Sequence, residues 1–197
     1  MSEYTVKVIQ DTDAESPRAF DCNMGLMACW HRRYKLGDVQ PKESPSDWID
    51  DTDNVPEGSV TLPLFLMDHS GISMSTGSYH DRWDSGRVGV IVATPAKIRE
   101  CFALAKDAEI TEEIRAKATE NLKGEVSTYD DFIRGNVWGY VIEAHHTCGE
   151  CGSMVDDDDG DSCWGFIGSD KSTLEAMKEH VDKKHHAALE AAWDKRF

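Results

Sequence analysis

The chain has 197 residues, 40% of them hydrophobic, enough for one full core of ordinary domain size. Against 37 Asp and Glu stand 21 Lys and Arg, and the resulting formal charge of −16 disfavours direct binding to phosphate backbones. The start, MSEYTVKVIQDTDAE, lacks a basic segment followed by an apolar one, and no stretch approaches the roughly 18 consecutive apolar residues of a membrane span. A cytosolic protein with no membrane partner is the expectation.

YTVKVIQ alternates Val6 and Val8 with polar neighbours and predicts a first strand, and NMGLMACWHRRY adds an apolar run ending in a basic cluster. From Glu43 to Glu57 the chain carries six acids, no base and two prolines, the composition of a surface loop. VTLPLFLMDHSGISMS predicts a strand, a Ser-Gly turn and a short return strand, and GRVGVIVA the next strand. TPAKIRECFALA places Thr94 as N-cap and Pro95 at the first helical position, with Ile98, Cys101, Phe102 and Ala105 on one face. Ile114, Ala118, Leu122, Val126, Tyr129 and Ile133 then form a helical stripe, with a bend or break expected at Gly124.

NVWGYVIEA and DSCWGFIG predict two strands paired as a hairpin through the segment HHTCGECGSMVDDDDG. Ser172 to Glu175 has the Ser-x-x-Glu pattern of a capping box, starting a last helix with Leu174, Met177 and Val181 on one face and Ala-rich sequence to the end. Hairpins on both sides of a helical block imply an α+β fold, a mostly antiparallel sheet packed against helices with a C-terminal helix. The expected division is a single α+β domain over 1–170 and a helical extension over 171–197 packed on or near the last hairpin.

Of six cysteines, Cys22, Cys29, Cys101 and Cys163 sit in apolar or mixed contexts that suit small buried hydrophobes. Cys148 and Cys151 form Cys-x2-Cys on the predicted hairpin, with His180 and His185 on the following helix, the ligand order of a ββα zinc finger. The spacing between Cys151 and His180 is far longer than the roughly 12 residues of a compact finger, but strand and helix lengths could return the histidines to the thiols. One structural zinc is therefore expected at Cys148, Cys151, His180 and His185, with His145, His146 and His186 as alternates. The competing readings are an exposed reduced hairpin tip and a redox pair; against the latter, Glu150 and Asp156 to Asp159 raise thiol pKa. Calcium fails because the twelfth position of an EF-hand loop is Phe166, leaving the acid run as a solvated loop.

Asp68, His69 and Ser70 are chain neighbours, but the position two before the serine is Asp68 where a nucleophile elbow has Gly, so a turn is the expected role. WDSG at Trp83 to Gly86 also suits a turn, with Asp84 accepting local backbone hydrogen bonds. Arg32 and Arg33 of WHRRY are expected to pair with acids such as Asp68 or Asp84. No catalytic residue is assigned.

SPRAFDCNMGLMACWHRRYKLGD, LPLFLMDHSGISMS, WDSGRVGVI, GEVSTYDDFIRGNVWGYVIE and DSCWGF together resemble an uncharacterised family of phage and prophage proteins over about Ser16 to Gly168. The resemblance implies that CGEC and the His-rich terminal helix are additions to the shared pattern. The functional expectation is a non-enzymatic acidic phage accessory protein in the host cytoplasm, binding a host or phage protein with a basic surface and not nucleic acid, as a nucleic-acid mimic that inhibits a host defence system. The alternative is a small-ligand-binding protein or enzyme whose cleft gathers His31, Arg32, Arg33, Asp68, His69, Trp83 and Asp84.

Overall fold

A computed structural model describes residues 3–81 and 83–196, the side chains of 156–159 excepted. The fold is α+β, with two antiparallel sheets and five α-helices among the described residues. The contacts group the chain differently from the expected 1–170 and 171–197. One compact unit joins Met1–Glu15 to Gly135–Phe197, and the other is Ser16–Arg134.

In the discontinuous unit, β1 (Glu3–Gln10), β6 (Val137–Thr147) and β7 (Met154–Ile167) form a sheet in the order β1-β6-β7. Val6 lies opposite Ile142 and Val8 opposite Tyr140, so strands far apart in sequence share one apolar face. Onto that face pack Leu174, Met177 and Val181, then Leu189 and Trp193, covering Trp138, Tyr140 and Ile142. The expected last helix is two helices: α4 (Lys171–Glu179) and α5 (His186–Trp193), separated by a 3-10 turn at Lys183–His185. Its N-cap is also not Ser172. Asp170 accepts from the backbone N–H groups of Ser172 and Thr173, a stronger cap because its acceptor is charged.

The second unit has a four-stranded sheet in the order β2-β5-β3-β4, from β2 (Leu26–Cys29), β3 (Val60–Asp68), β4 (Ile72–Ser75) and β5 (Ser85–Ala93). Helix α3 (Glu112–Ile133) covers one face with Ala118, Leu122, Val126 and Tyr129, the middle of the expected stripe. Gly124 does not break it: a Cβ there would meet nothing within 4 Å, so the residue lies outside the packed face and costs only its intrinsic propensity. The opposite sheet face packs on Trp48 of α1 (Pro45–Asp50), a capped helix inside the segment expected as loop. Ser44 starts it, accepting from Asp47 N, with Pro45 at the first helical position.

Covering both faces explains why VGVIVA is continuously apolar. Ile91 and Ala93 turn toward α3, and Val90 and Val92 toward Trp48. A register shift against β3 passes over Val88, which therefore joins the Ile91 side. Helix α2 (Pro95–Cys101) has its expected Thr94 cap but ends at Cys101, burying only Ile98.

Candidate functional site

Four of the seven residues expected in a ligand cleft do meet. The Asp68 N–H donates to the Asp84 carbonyl at 2.8 Å, joining the end of β3 to the entry of β5. From there the Arg33 guanidinium donates to the Asp68 carboxylate, and His69 Nδ1 lies 2.7 Å from Asp84 Oδ2. His31 sits on the neighbouring turn, where its Nδ1 accepts from the backbone N–H groups of Arg33 and Tyr34 at 3.3 and 3.2 Å and its ring stacks on Tyr34. Arg32 is exposed, and Trp83 is 95% exposed.

These residues make a ledge and not an enclosed pocket. The Arg33 and His69 side chains are 68% and 70% exposed, so each pair is worth about 0–1 kcal/mol in water. The nearest open cleft, lined by Met67, Ser70, Ile72, Ser73 and Arg134, includes only His69 of the seven. Asp84 engages His69, and the local backbone bonds expected of it fall to Asp81, which accepts from Trp83 N at 2.8 Å. Ser70 holds the β3–β4 turn at φ 56°, the turn role expected for it.

The hairpin tip is built differently from the expected loop. Strands β6 and β7 pair as far as Thr147 and Met154, leaving only residues 148–153 as connection, so the backbone of the acid run at 156–159 belongs to β7. The side chains of that run lie outside the described residues. The tip is closed by Cys148 N donating to Ser153 O at 2.8 Å and by Gly152 N donating to Cys148 O at 2.9 Å, with Gly152 at φ +72°. Cys148 and Cys151 are brought together there, both as free thiols. The Ser153 side chain and backbone, followed by the Cys148 side chain, hydrogen-bond to Cys151 and pull its thiol down to about 7.

The histidines lie elsewhere. His180 caps α4, where its carbonyl accepts from the Tyr140 hydroxyl at 3.0 Å and its ring meets the Phe166 edge. The His185 ring packs against Tyr4 at 4.5 Å, and burial pushes its imidazole below the usual range. Tyr4 is opposite Ala144, four residues short of Cys148, so His185 stops about 13 Å down the sheet from the thiols. His186 Nε2 lies 3.0 Å from Val181 O. His145 Nε2 lies 3.9 Å from Glu143, and His146 is exposed on β6. Among the described residues no three His, Cys, Asp or Glu side chains form a group that could hold a metal.

Sequence reasoning missed the most heavily bonded polar group. Arg18, whose side chain is 5% exposed, donates through Nε and Nη2 to Asp38, through Nη1 to Asn23 and Glu125, and through Nη2 to Gly25 O. Those carboxylates also accept backbone N–H groups, Asp38 from Met27 and Glu125 from Met24 and Gly25. The one local signal was Ser16, whose hydroxyl accepts from Arg18 N and starts a single turn. This is an ordering centre for the Ser16–Arg134 unit, with the Arg18 guanidinium buried among its acceptors.

No family model, curated protein or solved structure matches the chain. The cysteines outside the tip divide by position. Cys29 is buried and Cys163 half-buried, as expected, whereas Cys22 lies in an exposed turn and Cys101 ends α2, and both are exposed. Among the described residues no helix is long and apolar enough to cross a membrane.

Proposed function

We propose that the chain is a non-enzymatic phage accessory protein that binds a basic surface of a host or phage protein in the host cytoplasm, its carboxylates standing where phosphates would. The target class that fits is a nucleic-acid-handling defence protein, whose groove is lined by Lys and Arg. The observation that carries this reading is the unequal spread of charge. Met1–Glu15 with Gly135–Phe197 holds 17 acids against 7 bases, whereas the larger Ser16–Arg134 unit holds 20 against 14. A surplus concentrated in the smaller unit focuses field on a partner more than the same charge spread evenly. The sequence resemblance to phage proteins supports the setting and leaves the target open.

The alternative, a small-ligand site or enzyme at the ledge, has in its favour the His69–Asp84 pair at 2.7 Å. Against it stands the exposure of the pair, since water competes for every group a ligand would use.

The test is capture from phage-infected host lysate, followed by competition. The expected partner binds DNA or RNA, is displaced from it by this chain, and loses affinity at least about tenfold between low and high salt as screening grows. A partner bound equally well across that range, or one that keeps its nucleic acid, overturns the mimicry.

A further inference from the structure

The geometry points to a thiol–disulfide exchange site at the hairpin tip: Cys151 attacks, Cys148 resolves, and the preferred substrate is a disulfide carrying positive charge. Three observations carry it. Both cysteines lie in the six-residue connection between β6 and β7, and both are free. The turn is closed by two backbone bonds, from Cys148 to Ser153 and from Gly152 to Cys148, which hold both cysteines in one tight loop. Cys151 is exposed and Cys148 half-buried, which sets the order of attack by access.

The exchange balances in two steps. The Cys151 thiolate attacks one sulfur of R–S–S–R, forming Cys151–S–S–R and releasing RS−. Cys148 then gives up its proton, and its sulfur attacks Sγ of Cys151, breaking the mixed disulfide and releasing a second RS−. The two leaving thiolates take up the two protons lost by the cysteines. Two electrons pass from the protein dithiol to the small disulfide, which is the oxidant.

Charge selects the substrate. Glu150 lies between the two cysteines, and the unit around them carries the 17-to-7 surplus of acids. An anionic disulfide is repelled on approach and a cationic one is drawn in. This inference does not depend on the proposed partner, because small disulfides test it without any other protein.

The full-length chain is reduced, freed of metal with a chelator, desalted and treated with cystamine, a cationic disulfide, or with glutathione disulfide, an anionic one. Peptide mapping should find one Cys148–Cys151 disulfide with the mass of two hydrogens lost. Cystamine should react at least about tenfold faster at low ionic strength, with the advantage shrinking at high salt. Cys148→Ser should stop at a mixed disulfide on Cys151, and Cys151→Ser should leave position 148 slow to react. Oxidation confined to the exposed Cys22 and Cys101, or equal rates with both disulfides at low salt, would overturn the proposal. So would a mixed disulfide that persists in the unsubstituted chain. Elemental analysis before the chelator provides a separate check: about one zinc per chain, lost in Cys148→Ser, would make the pair a metal site instead.

Discussion

Arg18 donates to Glu125 at 2.8 Å across 107 residues of sequence, tying the first turn of the Ser16–Arg134 unit to the middle of α3. The same guanidinium grips Asp38, so two carboxylates that are themselves largely buried depend on one cation. Removing the cation leaves both without their counter-charge.

Arg18→Met is therefore expected to lower unfolding free energy by about 3–5 kcal/mol, and Arg18→Lys by less, since an ammonium keeps the charge but loses the planar fork. Urea unfolding followed by tryptophan fluorescence measures both. A loss below about 1 kcal/mol for Arg18→Met would show that the network is not what orders this unit.

Cys29 makes stability depend on alkaline pH. Burial and then the Asp38 charge push its thiol from 9.0 up to about 12, the nearby Arg18 opposing them in part. The folded state holds the proton more tightly than the unfolded state. The contribution is fully present below pH 9 and is lost as pH rises toward 12, at about 1.4 kcal/mol per pH unit for one proton. Cys29→Ala should flatten the decline of unfolding free energy between those limits. The same slope in both proteins would assign the alkaline loss to other groups.

Ser70 occupies a left-handed backbone conformation at φ 56°, which costs a residue with a Cβ about 1–2 kcal/mol. Ser70→Gly should leave thermal stability unchanged or raise it by up to about 1 kcal/mol, and Ser70→Val should lower it, because branching at Cβ worsens the crowding. A fluorophosphonate should leave Ser70 unlabelled, because Asp68 stands two residues before the serine where a nucleophile elbow has glycine. Stoichiometric labelling would reopen the ledge as an esterase-like site.

Local patterns were legible wherever a single element decides its own form. Thr94 with Pro95 announced α2, the Ala118, Leu122, Val126 and Tyr129 stripe announced the buried face of α3, and alternating Val6 and Val8 announced β1. The pairing of Arg33 with Asp68 was legible as one of two named choices, because a cluster of bases in a chain rich in carboxylates is drawn to acids. Misreadings arose where neighbouring residues competed for one role. Asp170 took the cap from Ser172 because a carboxylate is the better acceptor, and Asp81 took the backbone bonds expected of Asp84.

The sequence by itself determined the acidic character, the α+β class and the Cys-x2-Cys motif at a hairpin tip, all of which follow from composition, periodicity and short-range spacing. Tertiary structure alone decided that β1 pairs with β6, from Glu3 opposite His145 to Gln10 opposite Trp138, and hence that the chain's two ends share one compact unit. It also decided where the histidines go. A stripe of Leu174, Met177 and Val181 specifies which face of α4 is buried but not how far along the sheet that face docks. In the docked arrangement His185 packs on Tyr4, some four strand residues short of the thiols at Cys148 and Cys151. Distances between elements are fixed by the sum of contacts made across the whole unit, and no local pattern carries that sum.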